Sequence, residues 1–292
     1  MGTIVVGVDG SECSHDALRW AVEEASRREA VVEAVFAWTF PYDAPVVGRL
    51  ADDRGWRQRA DKMLKGLLET ELGGRSDVEV TPRAQEGPAA RTLLDAANGA
   101  EMLVVGSRGR GGFAELVLGS VSHQCVQHAG CPVVVVRRED LPADALPKEK
   151  TTERIVVGVD GSEAARTALR WALDEARIRN ATIDVVSAWH VPYIHSYPYA
   201  VTDPPPGQYE RDARLILDGM LVGADTTGVP TVEPILVCDG AARALLDMGK
   251  GADLLVVGSR GLGGFTGLLL GSVSQQVVHH APCPVVVIPP LG

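Results

Sequence analysis

The chain is 292 residues long, with 46% hydrophobic and 23% charged residues, the balance of an ordinary soluble globular protein and room for two domains of roughly 100–200 residues. Its formal net charge of −10 and pI near 5.2 leave no basic footprint for nucleic acid, and no apolar run approaches the ~18 residues of a membrane span. The cysteines Cys13, Cys125, Cys131, Cys238 and Cys283 are odd in number, which argues against a disulfide framework.

The opening MGTIVVGVDG runs straight into an apolar, β-branched stretch at residues 3–8, with no basic leader before it. That pattern predicts a cytoplasmic protein and a strand buried on both faces of a parallel sheet. Ser11 offers an N-cap, and Ala17, Leu18, Ala21, Val22 and Ala25 follow at helical spacing. A second strand is expected at 31–37, a helix near 54–72, a weaker strand at 78–84 and a short helix at 89–97. A fourth strand at 102–106 leads into a glycine-rich loop, then a helix near 120–129 and a last strand at 133–137. The polar stretch RREDLPADALPKEKTTER follows at 137–154, without periodicity. It reads as a linker over 139–152 between domains at 1–138 and 153–292. The second half repeats the order, with strands at 155–159, 182–188, 231–237, 254–258 and 285–288. Its helices are expected at 163–178, 208–223, 241–249 and 272–281.

The halves repeat in sequence as well as in pattern. IVVGVDGSE stands at 4–12 and again at 155–163; VVGSRGRGGFAELVLGSVS at 104–122 returns as VVGSRGLGGFTGLLLGSVS at 256–274. Strands alternating with helices imply parallel pairing through right-handed crossovers. The expected fold is two tandem doubly wound α/β domains, each a five-stranded parallel, Rossmann-like sheet. Ligands in such sheets sit beyond the carboxyl ends of the strands, where strand order reverses. The loaded strand ends are Val8-Asp9-Gly10 and Val105-Gly106-Ser107, so the first and fourth strands are expected side by side.

Gly106-x2-Gly109-x9-Gly119-Ser120 recurs as Gly258-x2-Gly261-x9-Gly271-Ser272. Glycines permit positive φ and close backbone approach, so such a run can curl its N–H groups into an anion-binding nest. The helix start that follows also favours phosphate, with Ser120 and Ser122 hydroxyls as further donors. The plainer alternative is that the glycines turn the chain and a serine caps the helix. The loop is not a Walker loop, having no lysine, and GVDGSE does not match GxGxxG. Arg108 and Arg260 either meet phosphate or are solvated. Asp9 and Asp160 either take a ligand, Mg²⁺ beside a polyphosphate included, or stabilise an Asx turn. Ala37 and Ala188 could read an adenine edge through their backbone. The segment His123, Cys125, His128, Cys131 has a metal-like spacing. Gln275 and Val277 replace His123 and Cys125 in the second half, so it reads as a helix and a buried strand entry.

On these motifs the chain resembles a tandem universal stress protein of the actinobacterial, ATP-binding type, whose pattern is G-x2-G-x9-G-[ST]. The resemblance implies one ATP per domain between the first and fourth strands, association through the last strands into a homodimer, an unidentified protein partner, and a regulatory role in stress or growth. The residues expected at the first site are Gly7, Asp9, Ala37, Gly106, Ser107, Arg108, Gly109, Arg110, Gly111, Gly112, Gly119, Ser120, Val121 and Ser122. Those at the second are Gly158, Asp160, Ala188, Gly258, Ser259, Arg260, Gly261, Leu262, Gly263, Gly264, Gly271, Ser272, Val273 and Ser274. No residue kept in both loops looks like a general base: His15 faces Ala165, allowing for small shifts, and His123 faces Gln275. A binding module is therefore favoured over a slow ATPase or autophosphorylating enzyme. Arg110 and Glu115 become Leu262 and Gly267 in the second loop; their charges are expected to cancel largely and leave the sites alike.

Overall fold

The computed structural model describes residues 1–39, 53–73, 77–110, 118–137, 152–190, 207–262 and 269–290. The chain divides between Ala145 and Leu146 into two compact units. The expected linker over 139–152 lies outside the described residues, except for its last residue, Thr152.

The first unit holds strands β1 (Thr3–Gly7), β2 (Val31–Trp38), β3 (Val80–Glu86), β4 (Met102–Gly106) and β5 (Val133–Val136). Its helices are α1 (Glu12–Arg28), α2 (Asp53–Leu72), α3 (Ala89–Ala96) and α4 (Ser120–His128). Every strand pairing is parallel, in the order β3-β2-β1-β4-β5. Central strands of such a sheet are covered on both faces, and IVV of β1 and MLVV of β4 are accordingly buried throughout. The weakest match to expectation is β3, which begins two residues later than its apolar pattern suggests. It is an edge strand whose residues are largely exposed, so burial does not mark its start.

The second unit repeats this with β6 (Arg154–Gly158), β7 (Thr182–Trp189), β8 (Thr231–Cys238), β9 (Leu254–Gly258) and β10 (Val285–Ile288). Its helices are α5 (Glu163–Arg179), α6 (Gln208–Leu221), α7 (Ala241–Met248) and α8 (Ser272–His280). The order is β8-β7-β6-β9-β10, again parallel.

Both long first helices start alike. Ser11 and Ser162 have extended backbone and accept from Ser14 N and Ala165 N, satisfying an otherwise orphaned donor. Each helix buries a stripe of small residues against the sheet, Ala17, Ala21 and Ala25 in α1 and Ala168, Ala172 and Ala176 in α5. Each also carries a fully buried glutamate, Glu24 or Glu175, paired with the arginine one turn later, Arg28 or Arg179. Among the described residues no helix is long and apolar enough to cross a membrane.

Candidate functional site

Pairing of Ile4 with Met102 and of Val6 with Val104 sets the carboxyl ends of β1 and β4 side by side, as the doubly wound topology requires. The crossover helices leave this point in opposite directions and open a crevice. In the first unit it is a cavity of about 410 Å³, and in the second of about 420 Å³. Both lie within the ~300–1,000 Å³ of small-molecule sites.

The floor of each cavity is apolar. Val35, Ala37, Leu93 and Val105 line the first; Val186, Ala188, Leu245 and Val257 line the second. Gly7 and Gly158 lie beneath these leucines. A Cβ on either glycine would sit 2.9 or 2.8 Å from a leucine Cδ1, so the side chain of α3 or α7 rests directly on the strand. Ala89, Leu93, Ala241 and Leu245 escaped the sequence reading because an apolar residue on a short helix looks the same in a core or in a binding crevice. Their presence at matching places in both halves was the available signal.

The polar end is built from the strand-end aspartate and the glycine loop. Asp9 accepts from Ser11 N at 2.9 Å, closing an Asx turn, and from Arg110 N at 2.9 Å, reaching across to the loop. Asp160 does the same with Ser162 N at 3.0 Å and Leu262 N at 2.9 Å. The Asx-turn reading therefore holds, and both aspartates also line their cavities. Burial works to raise the Asp9 carboxyl pKa, but hydrogen bonds from Ser11, the Ser11 and Arg110 N–H groups and Ser14 outweigh it and hold it below the usual value.

The first two glycines of each motif are needed for space rather than for handedness, whereas a Cβ on the third, Gly119 or Gly271, would meet its nearest atom at an ordinary 3.5 Å. Neither Gly106, Gly109 and Gly119 nor Gly258, Gly261 and Gly271 has positive φ, so the described part of the loop is not the nest the sequence suggests. A Cβ on Gly109 would stand 2.5 Å from Asp9 Oδ2, and one on Gly261 2.3 Å from Asp160 Oδ2. A Cβ on Gly106 would meet the Cys13 backbone at 2.7 Å. Positive φ falls instead at Gly10 and Gly161, just after the aspartates.

Gly119 and Gly271 are the N-caps of α4 and α8, and no side chain caps either helix. Ser120, Val121 and Ser122, and Ser272, Val273 and Ser274, line the cavities with their uncapped first turn. Ser122 and Ser274 hydroxyls are not available as donors to a ligand: each donates to a strand-end carbonyl, of Gly106 or Gly258, at 2.6 Å. Ser107 and Ser259 are buried and do not line the cavities, contrary to their place among the expected site residues. They act through backbone, each accepting at 2.8 Å from the N–H of the helix-capping glycine, Gly119 or Gly271. Arg108 and Arg260 are exposed at the cavity mouths. Arg110 lines the first cavity, whereas Leu262 does not line the second.

Gly111, Gly112, Glu115, Gly263, Gly264 and Gly267 lie outside the described residues. The register places Ala165 opposite Ser14 rather than His15, because Asp9 and Asp160 end equivalent strands. His15 is turned away from the cavity, its Nδ1 2.9 Å from Glu71 Oε1 on α2. Cys125 and Cys131 are buried, and burial followed by the neighbouring Cys131 pushes the Cys125 thiol up to about 12. Among the described residues no three His, Cys, Asp or Glu side chains gather as a metal site.

The model of the universal stress protein family matches residues 1–137 and 151–289. A universal stress protein of Mycobacterium tuberculosis H37Rv is 36% identical over 293 residues, covering 97% of this chain and 96% of the relative. One from Mycolicibacterium smegmatis is 35% identical over 304 residues, covering 98% and 97%. The crystal structure of an Archaeoglobus fulgidus universal stress protein shares the fold at TM-score 0.69 and 18% identity, over 99% of this chain and 98% of that one. With both halves matched and near full-length relatives above 30% identity, the chain belongs to the universal stress protein family.

Proposed function

We propose that this protein is a cytoplasmic regulator that holds one adenine nucleotide, ATP, in each unit and acts in stress response or growth control. The observation that carries this reading is the uncapped start of α4 and of α8 at the wall of a cavity. Free N–H groups there suit phosphate, while the apolar floor suits a purine ring. Asp9 and Asp160 are the residues that would reach Mg²⁺ through the nucleotide. Each carboxylate oxygen keeps a lone pair after its backbone hydrogen bond. Family membership supports the regulatory role, and the one carboxylate among the described residues of each cavity wall, Asp9 or Asp160, is tied to two backbone N–H groups.

Heat denaturation of the purified protein should release an adenine nucleotide identifiable by mass. Calorimetry on stripped protein should give nearly two sites per chain. Absence of any adenine-nucleotide binding overturns the reading. Steady ADP release with Mg²⁺, or phosphate transferred to the chain, would favour a slow ATPase or autophosphorylating enzyme instead. The chain is further proposed to form a homodimer through its last strands, VVVV of β5 and VVVI of β10, each short, uncharged and last in its unit. Light scattering that finds only monomer, with Val134→Lys leaving stability unchanged, removes that part.

A further inference from the structure

The two cavities share a backbone frame but not a charge. In each, the residue after the second loop glycine donates its N–H to the strand-end aspartate at 2.9 Å, Arg110 to Asp9 and Leu262 to Asp160. That common bond puts both backbones in the same place, so the side chain alone distinguishes the positions. Arg110 shares the lining of the first cavity with Gly109, Gly119 and Ser120, and that of an adjoining apolar pocket with Gly10 and Leu67. Its Nη1 lies 3.6 Å from where a Cβ on Gly10 would stand, so the guanidinium sits over the turn that follows Asp9. Leu262 is 69% exposed and offers no charge. Arg108 and Arg260 are common to both, so the first cavity has two arginines and the second has one.

A second difference reinforces the first. Ser14 Oγ accepts from Gly10 N at 3.1 Å and donates to Ser11 O at 2.8 Å, bracing the turn beneath Arg110. Ala165 has no hydroxyl to do this for Gly161.

Resting on the adenine-nucleotide reading above, we infer that the two cavities select differently by phosphate number. The first prefers the triphosphate, through Arg110; the second discriminates much less between ATP and AMP. Each added phosphate brings negative charge to the loop end, where a guanidinium makes charge-assisted hydrogen bonds that a leucine cannot. At a partly solvated mouth such a contact is screened, and an effect of about tenfold on affinity is expected. With mixed nucleotides present, one chain would then carry two different ligands.

The test is calorimetry with ATP and with AMP on the stripped full chain and on Arg110→Leu and Leu262→Arg. Both side chains are exposed, and circular dichroism checks the fold. In the wild type the ATP-to-AMP affinity ratios of the two sites should differ by about tenfold or more. Arg110→Leu should collapse the first ratio onto the second, and Leu262→Arg should raise the second to the first. Ratios equal within about threefold in all three proteins overturn this inference alone. Binding of neither nucleotide to the wild type overturns the proposed function as well.

Discussion

The first and second units solve the same structural problem with different tolerances. Gly106 ends β4 against the start of α1, and a Cβ there would lie 2.7 Å from both the carbonyl carbon and oxygen of Cys13. Gly258 ends β9 against α5, and its Cβ would lie 3.0 Å from the nearest backbone atom of Ala164. The motif glycine is thus kept in both halves, but the first crossing is tighter. A shared sequence pattern therefore marks a shared requirement for close approach without fixing how much slack each copy has.

The largest expected effects test that difference. Gly106→Ala must move backbone, since the obstructing atoms are not a flexible side-chain tip. It should cost about 2–3 kcal/mol in urea unfolding, whereas Gly258→Ala should cost about 1 kcal/mol. Equal losses would show that the two crossings relax alike and that the closer contact has no energetic meaning.

Next come the paired loop glycines. Gly109→Ala and Gly261→Ala each press a methyl group onto the aspartate that pins the loop, at 2.5 and 2.3 Å. Displacing Asp9 breaks its bond to Arg110 N, so each variant should lose about tenfold or more in nucleotide affinity at its own site and little at the other. Calorimetry that finds both sites unchanged would show that the loop holds its shape without the carboxylate.

Much of this was legible beforehand. The alternation of strands and helices set the topology, and topology alone joined Asp9 to Gly106 across nearly a hundred residues. The residue types at the glycine loop named its place but not its mechanism: Gly109 looks like a site of positive φ, yet it is required because Asp9 Oδ2 fills the space. Ser122 looks like a phosphate donor, yet its hydroxyl is spent on Gly106 O. Both facts depend on which atoms a distant strand end presents, and that is set by tertiary register rather than by local pattern. Leu93 and Leu245 were hidden for the reason that apolar residues carry no chemistry in their spelling.

The first loop pin should also show in pH. Asp9 is held below its ordinary pKa, so its hydrogen bonds add stability that is fully present above the unfolded carboxylate value of about 3.9. That stability is lost as pH falls through the lower folded value. The advantage of wild type over Asp9→Asn should therefore be flat above about pH 5 and shrink in more acid solution. A difference that stays constant down to the acid transition would mean that the neutral side chain serves the loop equally well.

The smallest effect concerns how α1 and α5 end. Glu29 and Asn180 both occupy the left-handed region at φ 51°, and their N–H groups close onto Ala25 O and Ala176 O. Asparagine enters this region more readily than other non-glycine residues because its short amide can bond locally, whereas a glutamate gains nothing there. The first unit therefore stores a small backbone strain that the second avoids. Glu29→Asn should stabilise the protein by about 0.5–1 kcal/mol in urea unfolding, and Asn180→Glu should cost a similar amount. Glu29 and Asn180 are both exposed, so neither exchange disturbs the core. If the two exchanges have the same sign, the difference lies in side-chain contacts and not in the turn.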